Sequence, residues 1–598
     1  MKVSRPWLAV VLALFSLPLF VGLGRKDIRG DEAGHTFSVE RILEIGDWMA
    51  PKSSPSENAV FLEKPPLKFW LVAAPIKLGL LPHDEFGFRF WDALFGGLAF
   101  LYVFAIGTRL AGPLCGAVGV LICFVHGPLL FEHGLRGNNM EAALLLCYCG
   151  GLYHYMLAMA TEDRRRKAQH ASVVALYFVL GFMVKDVAAL FMPATAFVTS
   201  MVFGDWRRKL IRDWAIWGMA SALALALIAP WFLYTWHRFG NELWSIMFGA
   251  HVYTRLTSFL DPTHLHPWYF YFTSMYLELS NSDSFYIVAI GLVALLVETI
   301  RRRWVEGGLV LLWFAFPLVM ISIGTSKLYH YAYPYVPPAA LGGGFLVGWI
   351  YMLVPKPIEQ GMRLAGGYVA QWIPRVKRAC EHGAVRTTIL GLAVLAIGIA
   401  ALSLVHGPVR IDIGKVELFK SSGVVRPCVL VILAGILTGA VPSMSRATVL
   451  LVVASLLPIT PYRDTLAALN VGEHPMHTAR DCVQQVNAQP SAATYAARGL
   501  YVDGLMDGFG HEHYLYFRKI RPWTIAPKAA PESLSKYLYD PAEMRPSLVL
   551  DSVYQTFLRE PDSLVKNGGA LPPMVSFGDV VLLLPGPYAV CSSEARAN

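Results

Sequence analysis

Phe61-Leu62-Glu63-Lys64-Pro65-Pro66-Leu67-Lys68-Phe69-Trp70-Leu71-Val72-Ala73-Ala74-Pro75-Ile76-Lys77-Leu78-Gly79-Leu80 is the stretch on which the topology of this chain turns. Its apolar part, residues 67–80, carries Lys68, Pro75 and Lys77. Fourteen residues reach only about 21 Å as a helix, less than the roughly 30 Å core of a bilayer. The segment therefore reads as an amphipathic helix lying at the membrane interface. Elsewhere, apolar runs of spanning length are expected at 6–24, 89–109, 113–132, 140–158, 171–185, 187–203, 213–235, 285–300, 306–323, 333–353, 389–407, 425–441 and 446–461. The first follows Lys2 and Arg5, lacks a small-residue cleavage site and is expected to remain as an anchor.

Composition agrees. Of 598 residues, 55% are hydrophobic and only 16% charged, against about 25% charged in soluble domains. An ordinary soluble enzyme and a disordered chain are excluded. The net charge of +9 is a topology signal. It collects at 164–167, 207–212, 301–303 and 356–386, in short loops between apolar runs. With the N-terminus inside and residues 67–80 not crossing, all four basic clusters face the cytoplasm, as the positive-inside rule requires. Counting 67–80 as a span would put them all outside. Nucleic acid is not an expected partner.

The fold class expected is a polytopic α-helical membrane protein with about thirteen transmembrane helices and a small C-terminal α/β domain. The boundaries are 1–461 for the membrane domain, with 25–88 as an outer loop, and 462–598 for the C-terminal domain. In the tail, 547–558 and 579–591 read as strands and 477–487 as a helix. Cys482 and Cys591 would lie on the outer, oxidising side, where a disulfide between them can form. Cys115, Cys123, Cys147, Cys149 and Cys428 read as packing residues.

The unusual polar residues fall on that same outer side. Gly30-Asp31-Glu32-Ala33-Gly34-His35 puts two carboxylates just past the first span. Pro65 and Pro66 hold Glu63 and Lys64 at the head of the interfacial helix. Arg136 and Glu141 flank the outer mouth of a membrane hairpin, where they could simply pair. Lys185 and Asp186 sit between two apolar runs, at a depth where ionisable groups face polar cavities or pair with each other. The loop 236–284 contains His251 and Arg255; the arginine could hold phosphate, and His251 with a carboxylate could hold a metal. Lys327, His330 and Tyr331 follow the ninth span. Together these supply acid/base groups and phosphate-binding cations at headgroup level, which suits a lipid phosphate. A P-loop, a G-x-G-x-x-G run and a D-x-D pair are all missing, so nucleotide drive and nucleotide-sugar donors lack support.

The order of G-D-E-A (30–33), I-G-D-W-M-A-P (45–51), F-L-E-K-P-P-L-K-F-W (61–70), the arginine–carboxylate hairpin and S-K-L-Y-H-Y-A-Y-P (326–334) resembles the lipid-linked-sugar glycosyltransferases of the GT-C class. The chain is most similar, over roughly residues 1–340, to the bacterial aminoarabinose transferase family and its protein O-mannosyltransferase relatives. The resemblance implies Asp31 and Glu141 as catalytic carboxylates, and Lys64, Arg255, Lys327 and Tyr331 as binders of the donor phosphate. Glu32, Arg136, Lys185 and His330 would support them, and Glu63 with His251 would be the place for a divalent metal. Glu141 stands where the family usually has aspartate, and Gly34-His35 replaces the more usual arginine–tyrosine pair.

The function expected is transfer of a sugar from a polyprenyl-phosphate carrier to lipid A or another envelope glycolipid. It would take place at the periplasmic face of a bacterial inner membrane, among membrane lipids. Transfer to protein serine or threonine, a flippase or transporter for lipid-linked sugar, and an assembly scaffold using the tail remain alternatives.

Overall fold

A computed structural model describes residues 5–55, 59–259 and 261–353, isolated helical residues between 383 and 395, and a strand pair at 409–413 and 416–421. In the tail it describes 457–472, 474–487, 500–502, 511–518, 524–525, 534, 537–540, 544–559 and 574–584. Helices occupy each of the first ten expected spans, from Arg5–Val11, which runs on through further helical turns to Phe20, to Val336–Leu353. Nearly all of the spans expected at 389–407 and 446–461, and all of that at 425–441, lie outside the described residues, as do Cys428 and Cys591. Among the described residues, five helical stretches are long and apolar enough to cross a membrane: Glu85–Ala111, Glu141–Ala160, Arg164–Val202, Trp214–Phe239 and Val305–Ile323.

The stretch Arg164–Val202 folds back on itself. Its first helix, Arg164–Lys185, ends where Asp186 takes a φ of +37°, and the chain returns through Phe191–Val202. The return is fixed by Lys209, which donates to the Met159 carbonyl (2.9 Å) and pairs with Glu162 (2.7 Å). Lys167 pairs with Asp213, and Arg109 reaches Glu306 (3.6 Å). The described basic loops thus gather at one end of the bundle. Asp31, Lys64, Glu141, Lys185 and Tyr331 gather at the other.

The segment that decided the topology is a helix of eleven residues, Leu67–Lys77, too short to cross. It is more deeply buried than an interfacial helix need be. Lys68, Phe69, Val72, Ala73 and Ile76 all face protein, and Lys68 pairs with Asp92, both fully buried.

Local signals set the ends of the helices around the site. Asp31–Ile45 begins with Asp31 and Glu32 in its first turn, where carboxylates complement the helix dipole. It stops at Gly46, whose left-handed φ of +76° lets its N–H close on the Ile42 carbonyl. Asp84 caps Glu85–Ala111 by accepting from Gly87 N. Between helices, small residues allow close crossing. A Cβ on Gly291 would lie 2.1 Å from the Gly342 carbonyl oxygen, and one on Gly107 would lie 2.5 Å from Gly116 Cα.

The described tail holds a five-stranded sheet in the order 524–525, 501–502, 547–550, 580–583, 574–577. The strand at 501–502 is parallel to both its neighbours; the last two pairings are antiparallel. Helix Pro475–Asn487 covers the expected 477–487. Only the first third of the expected strand at 547–558 is strand. Ser547–Leu550 pairs, but Asp551–Arg559 is a helix that buries Tyr554 and Phe557. The i, i+3 spacing of those two rings, led by an acidic residue, favours the helix. Cys482 is disulfide-bonded.

Candidate active site

Asp31 opens its helix with a side chain 73% exposed, and His133 Nδ1 lies 3.8 Å from its carboxylate. Gly30, at φ +60°, turns the chain into the helix, and its N–H donates to Glu512 (2.8 Å). Asp31 lines a cavity of about 440 Å³ with Lys26, Glu32, Arg89, His133 and Arg136.

Its neighbour Glu32 is committed to structure. Both oxygens take Arg89 (2.7 and 2.8 Å), and one also accepts from Asn138 N (2.8 Å). Arg89 uses its remaining N–H groups on the carbonyls of Leu23, Lys26 and Asp27. A single guanidinium therefore fixes the whole turn that presents Asp31.

Arg136 and Glu141 do not close the hairpin on each other. Arg136 donates to the carbonyls of Leu19 (2.8 Å) and Leu469 (3.0 Å). Burial, with Arg89 nearby, lowers its pKa to about 10. Glu141 takes the Lys185 ammonium at 2.5 Å, with His330 Nε2 3.6 Å away and its own backbone neighbour Met140 N–H donating at 3.0 Å. The carboxylate expected to be catalytic is thus held by an ammonium and a backbone N–H. The suggested pairing of Lys185 with Asp186 is also replaced: Asp186 accepts from the Val187 N–H instead.

These groups form one continuous constellation. His133, at a φ of +54°, stacks on His330 with centroids 4.8 Å apart, bridging Asp31 to the Glu141 side. Lys185 lies over the Tyr331 ring (5.2 Å), and Arg255 donates to the Tyr331 hydroxyl. The buried His35 ring feels Lys64, Asp31, Glu141 and Lys68 together. Lys64 also acts on Asp186, His251, His330 and Tyr331. Among the described residues Lys64 makes no hydrogen bond or ion pair, and Arg255 keeps a buried, unpartnered Nε. Two cations beside Tyr331 are thus unneutralised. Burial holds the pKa of His330 well below the ordinary value despite Glu141.

Lys327, expected among the phosphate-binding cations, is engaged with the protein backbone. Its ammonium donates to the carbonyls of His266 (2.9 Å) and Gly324. With Lys327 N on His264 O and Ser326 N on Arg255 O, it clasps the loop that carries Arg255. Glu63 and His251 do meet, at 3.6 Å. Sequence reading missed Arg89, His133 and Asp92. Each sits at or near the edge of an apolar run, but nothing local names its partner.

Residues 63–234 match the family model described as dolichyl-phosphate-mannose-protein mannosyltransferase. The match includes Glu63, Lys64, Glu141 and Lys185. Curated relatives include the undecaprenyl phosphate-alpha-4-amino-4-deoxy-L-arabinose arabinosyl transferase of Pseudomonas savastanoi pv. phaseolicola. It is 25% identical over 56% of this chain and 60% of that protein. A second, from Pseudomonas fluorescens, is 26% identical over 55% and 54%. The chain spans little more than half the length of the curated relatives it matches. The crystal structure of ArnT from Cupriavidus metallidurans bound to undecaprenyl phosphate has a TM-score of 0.61 at 16% identity, covering 98% of this chain and 100% of that one. The archaeal oligosaccharyltransferase AglB from Archaeoglobus fulgidus, in complex with an inhibitory peptide and a dolichol-phosphate, has a TM-score of 0.51 at 11% identity, covering 99% and 75%. The fold is that of the GT-C membrane glycosyltransferases, and the chain is similar to their aminoarabinose transferase superfamily.

Proposed function

We propose that this chain transfers a sugar from a polyprenyl-phosphate carrier to lipid A, or a closely related anionic glycolipid, on the periplasmic side of a bacterial inner membrane. The observation that carries the reading is the meeting of Lys64, Arg255 and Tyr331 with an exposed carboxylate, Asp31, which has only His133 beside it at the edge of the same constellation. The relatives named as undecaprenyl phosphate-aminoarabinose transferases support it.

In this mechanism an acceptor oxygen attacks the anomeric carbon while the bond from that carbon to the donor phosphate oxygen breaks. The phosphate leaves with the electron pair. Lys64 and the free N–H of Arg255 hold the charge that develops on it. Asp31 takes the proton when the acceptor is a hydroxyl, and orients the acceptor when it is an ionised phosphate. Direct displacement inverts the anomeric centre. Glu141 neutralises and orients Lys185, which braces Tyr331. The donor set of Glu63 and His251 fits a divalent cation as two of its ligands; bound there it would add positive charge beside the donor phosphate.

The cavity beside Asp31 is lined by charges of both signs, Lys26, Arg29, Arg89 and Arg136 against Asp27, Asp31, Glu32 and Glu132. Lys26 and Arg136 line it with Asp31, and neither has a carboxylate partner among the described residues. Transfer to serine or threonine is the second reading, favoured by the mannosyltransferase family match over residues 63–234. To separate them, purified protein is incubated with radiolabelled polyprenyl-phosphate pentose or hexose and, in parallel, lipid A or envelope protein. Label in lipid A supports the proposal, and label in protein the second reading. Bound donor without transfer to either would favour a carrier of lipid-linked sugar.

A further inference from the structure

A second cluster of ionisable groups lies where the tail meets the membrane domain. Asp27 precedes the Asp31 helix. His474 and His477 flank the first residues of helix Pro475–Asn487, about 450 residues later in sequence. Asp27 Oδ1 is 2.7 Å from His477 Nδ1 and 3.5 Å from His474 Nδ1. Asp27 is almost completely buried. We propose that Asp27, His474 and His477 bind a divalent cation of the zinc type, which fastens the C-terminal domain over the acceptor cavity.

Four features argue for a cation. The three ligand atoms all lie within 4.8 Å of one another, so small side-chain shifts bring them to the roughly 2.0–2.2 Å that zinc takes with nitrogen and carboxylate oxygen. The two oxygens of Asp27 have separate tasks: Oδ2 accepts from Met476 N (2.6 Å), leaving Oδ1 aimed at the histidines. His474 Nδ1 is buried without a hydrogen-bond partner, a cost a metal bond would remove.

The far side of His477 supplies the fourth. Its Nε2 lies 3.4 Å from Glu85 Oε1. That carboxylate is in turn held by the Tyr516 hydroxyl (3.2 Å), which accepts from Ile28 N (2.6 Å). An imidazole that ligates through one nitrogen and donates from the other to a carboxylate is the arrangement metal-binding histidines adopt. Two imidazoles and a carboxylate leave one tetrahedral position for water. The site is separate from Glu63 and His251 and involves none of the donor-binding residues. It shares Asp27 with the wall of the cavity that holds Asp31, so the cation would set the position of that wall.

The test uses the full chain in detergent, dialysed free of metal. Zinc content is measured after reloading, and cobalt(II) absorption reports tetrahedral nitrogen and oxygen ligation. The proposal expects one equivalent, beyond any held at Glu63 and His251, that is lost in His477→Ala and in His474→Ala but kept in His251→Ala. It also expects Glu85→Gln to weaken binding about 10- to 100-fold, and zinc to raise the unfolding temperature of the wild type but not of His474→Ala. The His474 ring Nδ1 has no hydrogen-bond partner in the metal-free arrangement, and His474→Ala keeps the backbone carbonyl that Thr478 bonds, so the substitution should leave the fold intact. No stoichiometric zinc in the wild type, or equal zinc in wild type and His474→Ala, overturns the proposal. Asp27 would then serve only as a hydrogen-bond acceptor for the tail helix.

Discussion

The Lys185 ammonium lies 2.5 Å from a Glu141 carboxylate oxygen, although Asp186 is its neighbour in sequence. Both side chains are nearly buried, and the pair ties two membrane helices together at the end that carries the candidate active site. Removing one partner leaves a buried charge without compensation, which typically costs about 3–5 kcal/mol. Glu141→Gln and Lys185→Met should each lower the unfolding temperature markedly. The double variant should recover most of the loss. Thermal unfolding of the four proteins in one detergent checks this, and equal, additive losses would show the pair to be uncoupled.

Arg89 and Arg29 offer a contrast in which burial decides. Arg89 is buried and holds Glu32 and three carbonyls. Arg29 is partly exposed; it pairs with the exposed Asp579 at 2.8 Å and, more loosely, with the buried Glu512 at 3.5 Å. Arg89→Leu should destabilise by about 3–5 kcal/mol and abolish turnover by releasing the Asp31 turn. Arg29→Ala loses about 1 kcal/mol or less from the exposed pair with Asp579 together with the looser contact to Glu512, and should cost less than Arg89→Leu. Denaturation monitored by tryptophan fluorescence separates the two.

The donor cations should act on affinity more than on fold. Hydrogen bonds to charged groups are worth about 1.5–3 kcal/mol. Lys64→Met and Arg255→Lys should therefore weaken polyprenyl-phosphate binding roughly 10- to 100-fold, with unfolding temperature nearly unchanged for Lys64→Met. Arg255→Lys keeps the charge and loses the planar fork that meets both Tyr331 and a phosphate. Titration with a short-chain polyprenyl phosphate measures both. Lys327→Met should instead loosen the loop that carries Arg255.

His35 gives stability a defined pH dependence. Burial, with Lys64 next, lowers its pKa to about 3, and its Nδ1 is 3.1 Å from the Asn138 carbonyl, which only a protonated Nδ1 can bond. The unfolded histidine titrates near 6.5. Below that pH the unfolded state binds a proton that the folded state refuses, so stability falls as pH drops from about 6.5 toward 3. The slope is about 1.4 kcal/mol per pH unit for this one group. His35→Gln, which keeps a donor for Asn138, should be less stable at pH 7.5 and fall less steeply on acidification. Parallel curves for the two proteins would rule out a neutral His35.

The sequence made the membrane helices and the side of the bundle on which chemistry gathers legible. Charge that interrupts or borders an apolar run is costly and stands out, which is how Asp31, Lys64, Glu141, Lys185 and Arg255 were recognised. Their partners did not stand out. Glu141 with Lys185, Glu32 with Arg89, Lys68 with Asp92 and Asp27 with His477 are joined only by helix packing. The plausible local pairs, Arg136 with Glu141 and Lys185 with Asp186, are not the ones formed. The position of Lys327 is legible in the sequence, but its contacts with the His266 and Gly324 carbonyls are not. Asp551–Arg559 was read as strand because a strand of the sheet ends at Leu550 and the apolar rings continue.

The central claim is that Asp31 acts on an acceptor while Lys64 and Arg255 hold the donor. Asp31 is exposed and accepts no hydrogen bond among the described residues, so Asp31→Asn should fold and bind polyprenyl-phosphate sugar as the wild type does. The direct test is a single-turnover transfer of radiolabelled sugar to lipid A by both proteins, with bound donor measured in the same samples. The account predicts label in lipid A with wild type, and transfer about 10²- to 10⁴-fold slower with Asp31→Asn at equal donor occupancy. Transfer by Asp31→Asn at the wild-type rate would contradict it.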